Sequence, residues 1–130
     1  MLKRSLLILA VLTLFTTLSF AAVKHTKDIK DLKAAFKSGV PVVVKLGADW
    51  CPPCQKMKPI IEALSKEQDG KAVFLDINIE KDREIARKYK VRLIPTILFY
   101  DKRGNLKLRT EGFMSKEELL NKIKELKLNK

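Results

Sequence analysis

The stretch PVVVKLGADWCPPCQKMKP, residues 41–59, constrains the fold more than any other part of the chain. Its first half is a β-branched run bounded by Pro41 and Gly47, the pattern of a buried strand. Its second half opens a helix, because Met57, Ile60, Ile61 and Leu64 recur at helical spacing and Gly70 closes the segment. The chain thus turns from strand to helix within a few residues, and both of its cysteines, Cys51 and Cys54, stand at that turn. Trp50, the only tryptophan, comes just before them, and Pro52 and Pro53 lie between.

The flanking segments extend the same alternation. DIKDLKAAFKSG sets Ile29, Leu32 and Phe36 on one helical face and ends at Gly39. AVFLDINI reads as a second buried strand, DREIARKYK as a short helix and TILFY as a third strand. DKRGN is a tight turn into LKLRTEG, a connection too short for a crossover, which predicts an antiparallel hairpin. The last helix, SKEELLNKIKELKL, carries Ser115 and Glu118 at capping-box spacing and turns Leu119, Leu120, Ile123 and Leu126 to the core. The expectation is one layered α/β domain: a mixed sheet with parallel central strands, an antiparallel edge and helices on both faces.

Residues 1–21 read as a separate unit. Lys3 and Arg4 precede an apolar run from Ser5 to Phe20, and Ser19 and Ala21 stand at the positions that a signal peptidase reads. The layout predicts a signal peptide over 1–21, a mature domain over 22–130, and a periplasmic or otherwise extracytoplasmic location. The alternative is an uncleaved anchor, although the run falls short of the roughly 20 apolar residues of a comfortable span. Loss of Lys3 and Arg4 lowers the formal charge from +12 to +10, still strongly basic. The lysines are spread through every helical segment instead of forming one stripe, so a solvated surface, with no nucleic-acid partner, is the better reading.

Three chemistries are open to the cysteines: a catalytic thiol pair, a structural staple or part of a metal site. A staple between Cys51 and Cys54 closes a very short loop and stabilises little. A closed zinc site needs four ligands, and the one histidine, His25, lies far back in the lead segment. Two thiolates could still hold a soft ion such as Cu(I), which leaves a copper-binding module as an alternative. A redox-silent interaction domain is a second. As a catalytic pair the two lie one helical turn apart, close enough to form and break a disulfide with little backbone movement. Cys51 at the N-cap is favoured as a thiolate by free N–H groups and the helix dipole, which makes it the attacking sulfur; Cys54, more sheltered, resolves the mixed disulfide. Pro53 loses nothing in the first turn, whereas Pro52 deletes an N–H that could have pointed at the Cys51 sulfur.

These residues resemble the thioredoxin superfamily. WCPPC stands where its members carry Trp-Cys-x-x-Cys, Pro59 resembles the proline inside their active-site helix, RLIPT resembles their cis-proline segment, and Gly112 matches a glycine before the last helix. The resemblance covers roughly residues 24–128. It implies a thioredoxin-like three-layer fold and a thiol–disulfide oxidoreductase that needs no cofactor beyond the Cys51–Cys54 disulfide and no metal. It implies further that Ile94–Pro95 is cis, that Ile94, Pro95 and Thr96 bind an extended substrate chain, and that Trp50 shapes the rim. Protein thiols and disulfides would be the partners, with a membrane-embedded thiol carrier as electron source, and the chain would act as a monomer.

Two departures stand out against that pattern. Lys45 occupies the position of the family's buried aspartate and Asp76 that of its partner lysine. The expectation is a reversed ion pair beneath the disulfide, in which Lys45 favours a nearby thiolate and Asp76 accepts the Cys54 proton; the alternative is that both side chains reach solvent. Gly47 replaces a residue that is often aromatic in the family. Together with the leader, CPPC and Gly47 point to an exported member. The absence of a helical insertion in the element order favours a reductant.

Overall fold

The computed structural model describes residues 29–128. The expected leader, its cleavage point and His25 lie outside the described residues. The elements are α1 (Ile29–Phe36), β1 (Val42–Gly47), α2 (Pro52–Glu67), β2 (Val73–Asn78), α3 (Arg83–Lys88), β3 (Thr96–Tyr100), β4 (Leu106–Glu111) and α4 (Lys116–Leu128).

The four strands form one sheet in the order β2-β1-β3-β4. β1 is parallel to β2, antiparallel to β3, and β3 is antiparallel to β4. The sheet is mixed as expected, but its central pair, β1–β3, is antiparallel; the parallel pairing is confined to β1–β2. The connection over residues 79–95, which includes the six-residue α3, is long enough for a parallel crossover. The chain instead enters β3 at the end where β2 leaves, with Thr96 opposite Leu46.

Alternation along the strands sorts the core into two layers. Val42, Val44, Leu46, Leu75, Ile77 and Leu98 meet Leu32 and Ala35 of α1 and Ile85 of α3. Val43, Phe74, Ile97 and Phe99 meet Met57, Ile61 and Leu64 of α2 and Leu119 and Ile123 of α4. Helices therefore cover both faces, and β1, between two neighbours, is buried along its whole length. Among the described residues no helix is long and apolar enough to cross a membrane.

Local signals in the sequence account for the ends of the elements. Ser115 and Glu118 exchange both capping-box bonds, Glu118 N–H to Ser115 Oγ at 3.3 Å and Ser115 N–H to Glu118 Oε2 at 2.7 Å. Those bonds hold the Glu118 carboxyl below its ordinary range. In the β3–β4 turn, Asp101 Oδ1 accepts from the N–H of Arg103 and of Asn105, each at 2.9 Å, and the carboxyl is lowered to about 2. Gly104, at φ 81°, lies beneath the Phe36 ring, where a Cβ would touch it at 3.5 Å.

Candidate active site

β1 and α2 meet at the end of the sheet where β3 begins, and the dithiol sits at that meeting point. Cys51 is the N-cap of α2, with Pro52 and Pro53 at the first two helical positions. Neither proline has an N–H, so the first backbone donor at this end is Cys54, whose N–H points at Cys51 Sγ at 3.3 Å. Gln55 N–H closes the first turn on Cys51 O at 3.0 Å. Cys51 and Cys54 are disulfide-bonded, with Cα atoms 5.2 Å apart. Pro59 lies inside α2 at an exposed position.

The expected contrast between an open Cys51 and a sheltered Cys54 is absent from this oxidised form: the two are 3% and 2% exposed. Ala48 and Ile94 pack against the disulfide. The Ile94–Pro95 bond is cis, and Ile94 O stands 3.9 Å from Cys51 Sγ. Pro95 is buried, and its carbonyl accepts the Gly112 N–H at 2.8 Å. Trp50, 67% exposed, stands beside the disulfide on the outer surface.

Thr96, expected beside the substrate chain, opens β3. It is fully buried, its hydroxyl donates to Leu93 O at 2.6 Å, and it pairs with both Leu46 and Glu111. Its side chain therefore holds the loop before Pro95 in place. Two residues that the sequence reading passed over flank this segment. Leu93 and Phe113 are large, apolar and exposed, one just before Ile94 and the other just after Gly112, which is bonded to Pro95. An apolar residue in a loop beside a motif was the available signal; helical and strand periodicity says nothing about such positions.

Lys45 and Asp76 are paired. They are register partners on adjacent strands, and Lys45 Nζ lies 2.8 Å from Asp76 Oδ2 and 3.1 Å from Cys54 O. Lys45 is 3% exposed and Asp76 28%, so the pair is buried at its cationic end and wetted at its anionic end. Gly47 explains itself from the same geometry. A Cβ there would meet Cys54 Sγ at 3.0 Å and Cys54 Cβ at 3.1 Å, so any side chain would press on the second sulfur. Among the described residues no group of three or more His, Cys, Asp or Glu side chains is placed to hold a metal ion.

The sequence model of the thioredoxin family matches residues 21–125. A thioredoxin of Rickettsia felis is 39% identical over 99 residues, spanning 76% of this chain and 93% of the relative. The chain belongs to the thioredoxin family. A chloroplastic M-type thioredoxin of spinach is 37% identical over 105 residues, and this chain spans 58% of its length. Among solved structures, a mutant thioredoxin from Halobacterium salinarum superposes with a TM-score of 0.69 at 25% identity, covering 78% of this chain and 88% of that one. A chloroplastic thioredoxin z shares the fold with a TM-score of 0.70 at 23% identity. As a thioredoxin, the chain is a thiol–disulfide oxidoreductase that acts on protein disulfides through its own redox-active cysteine pair, without an external cofactor.

Proposed function

We propose that this thioredoxin acts as a reductant of disulfides in exported proteins, in the periplasm or an equivalent compartment, after removal of residues 1–21. Cys51 is the attacking sulfur. Opening the disulfide frees its side chain, which lies outside the helix proper, to turn towards the rim of Trp50, Leu93 and Phe113. The substrate chain lies across Ile94 and Pro95. Cys54 then attacks the mixed disulfide, forms the Cys51–Cys54 bond and releases the substrate thiol. Lys45 holds Asp76 beneath the disulfide, and Asp76, in contact with water, takes the Cys54 proton. The spent disulfide is recharged by a membrane-embedded thiol carrier, and the chain works as a monomer.

The observation that carries the direction is the single backbone donor at Cys51 Sγ. Stabilised thiolates favour the dithiol and make a couple oxidising. Here two of the donors that a helix N-terminus offers are deleted by Pro52 and Pro53, and the ammonium of Lys45 is neutralised by Asp76. The element order, with no added helix between β1 and β3, supports the same reading. Equilibration against a dithiothreitol redox buffer tests it. The expected potential lies near the roughly −270 mV of thioredoxin, and a value near the roughly −120 mV of a strong oxidant overturns it.

A further inference from the structure

Behind the disulfide, on the side away from Ile94, lies a cleft of about 370 Å³ that reaches Cys54 but not Cys51. Its floor is the Lys45–Asp76 pair, and Gly47 forms part of its wall. A side chain at Gly47 would stand against Cys54 Sγ, so the missing Cβ keeps the cleft wall beside that sulfur unfilled, although Cys54 itself is 2% exposed. Lys58 and Lys81 line the cleft, and among the described residues neither has a carboxylate within ion-pair distance. Asp49 is the carboxylate that partly opposes them. With Lys45 and Asp76 cancelling, the lining carries a net positive charge.

We propose that this cleft is a second entrance to the dithiol, for a small thiol bearing a carboxylate or sulfonate. The inference rests on the reductant reading, and it supplies a source of electrons at the same pair. Size and charge fit the class: the volume lies within the range of small-molecule sites, and the lysines attract an anion while excluding a folded protein substrate by space alone. The leaving group fits too. In disulfide exchange the sulfur that leaves faster is the one better stabilised as a thiolate. Attack at Cys54 expels Cys51, which sits at the helix N-cap with the Cys54 N–H pointing at it. Burial of the second cysteine ordinarily forbids that route; here Cys54 is 2% exposed, and the cleft beside Gly47 is what reaches it.

The step balances. A small thiolate attacks Cys54 Sγ, forming a mixed disulfide and releasing Cys51 as a thiolate. A second small thiolate attacks the outer sulfur of that mixed disulfide, releasing Cys54 and forming the small-molecule disulfide. Two small thiols are oxidised, the protein disulfide gains two electrons, and the two thiol protons end on Cys51 and Cys54. Electrons then enter on the Cys54 side and leave to protein substrates on the Cys51 side.

The Cys51→Ser variant isolates the entrance. Its folded form is treated with two thiosulfonate reagents, the neutral methyl methanethiosulfonate and its larger, anionic sulfonatoethyl counterpart, and labelling of Cys54 is followed by mass. Both are expected to label it. Adding Gly47→Ala should slow both at least tenfold, and adding Lys58→Gln with Lys81→Gln, which leaves the core untouched, should slow the sulfonated reagent at least threefold relative to the neutral one. A Cys54 inert to the neutral reagent overturns the proposal, as does labelling that neither set of changes slows. Turnover of a protein disulfide by the wild-type chain is measured alongside. Turnover with a closed cleft sinks the second entrance alone, whereas an open cleft without turnover sinks the reductant reading alone.

Discussion

Replacing Asp76 by Asn tests how the exchanged pair is held. The change deletes the charge but keeps an acceptor, leaving an ammonium that is 3% exposed between two neutral acceptors, the new amide and Cys54 O at 3.1 Å. Stranding one charge of a buried pair costs about 3–5 kcal/mol, and the low end applies because the amide still accepts. The converse change, Lys45→Met, strands Asp76, whose carboxylate is 28% exposed and can be rehydrated. Its cost should be about 1 kcal/mol, the scale of a lost hydrogen bond. Urea unfolding at pH 7 with constant slope reads both values, and in thermal melts a domain of this size loses about 4–8 °C per kcal/mol. The redox couple should move in opposite directions. Asp76→Asn leaves the cation free to favour thiolate and makes the couple more oxidising, by about 30 mV for each 1.4 kcal/mol of differential stabilisation. Lys45→Met makes it more reducing and raises the pH at which the reduced Cys51 titrates. If Lys45→Met proved the costlier variant, or if the two shifted the potential the same way, the assignment of buried cation and wetted anion would be wrong.

Other predictions follow from single contacts. Thr96→Val should destabilise by about 1–2 kcal/mol through loss of the buried bond to Leu93 O, measured by urea unfolding, and Thr96→Ser should restore most of it. Ser115→Ala removes one half of the capping box and should cost about 1 kcal/mol in the same assay. Asp101 is lowered to about 2 from an ordinary 3.8, so the bonds to its charged form stabilise the fold above about pH 4, and that contribution is lost as pH falls towards 2. Acid titration of stability should therefore show wild type converging on Asp101→Asn across that window, and curves that stay parallel would contradict it. Replacing Leu93 or Phe113 by Ser should raise KM for a protein disulfide while leaving reduction by dithiothreitol unchanged, since both residues touch the macromolecular substrate alone in this reading.

Much of this architecture was legible because its signals are local. The β-branched run before Cys51, the turn at Asp101–Asn105 and the Ser115–Glu118 box each act within a few residues, and each forms the element that its pattern predicts. The Lys45–Asp76 contact was legible as well, because residues opposite each other on adjacent strands must meet once the two strands are paired. The antiparallel direction of β3 was not, since the connection over residues 79–95 is long enough for either direction and no local residue pattern states which is taken. The burial of Thr96 was hidden for a related reason: strand propensity says that a threonine fits a sheet but not which side faces a helix. Gly47 announced itself as a departure, yet its meaning required the position of Cys54 Sγ in space.

The central claim is that Cys51, at the tip of α2, is the sulfur that meets protein substrates. The most direct measurement compares Cys54→Ser with Cys51→Ser during turnover of a disulfide-bonded protein, followed by acid quenching and counting of mixed disulfides. Cys54→Ser should accumulate a covalent complex through Cys51, and Cys51→Ser should accumulate none. The reverse pattern, or no complex with either variant, would contradict the account.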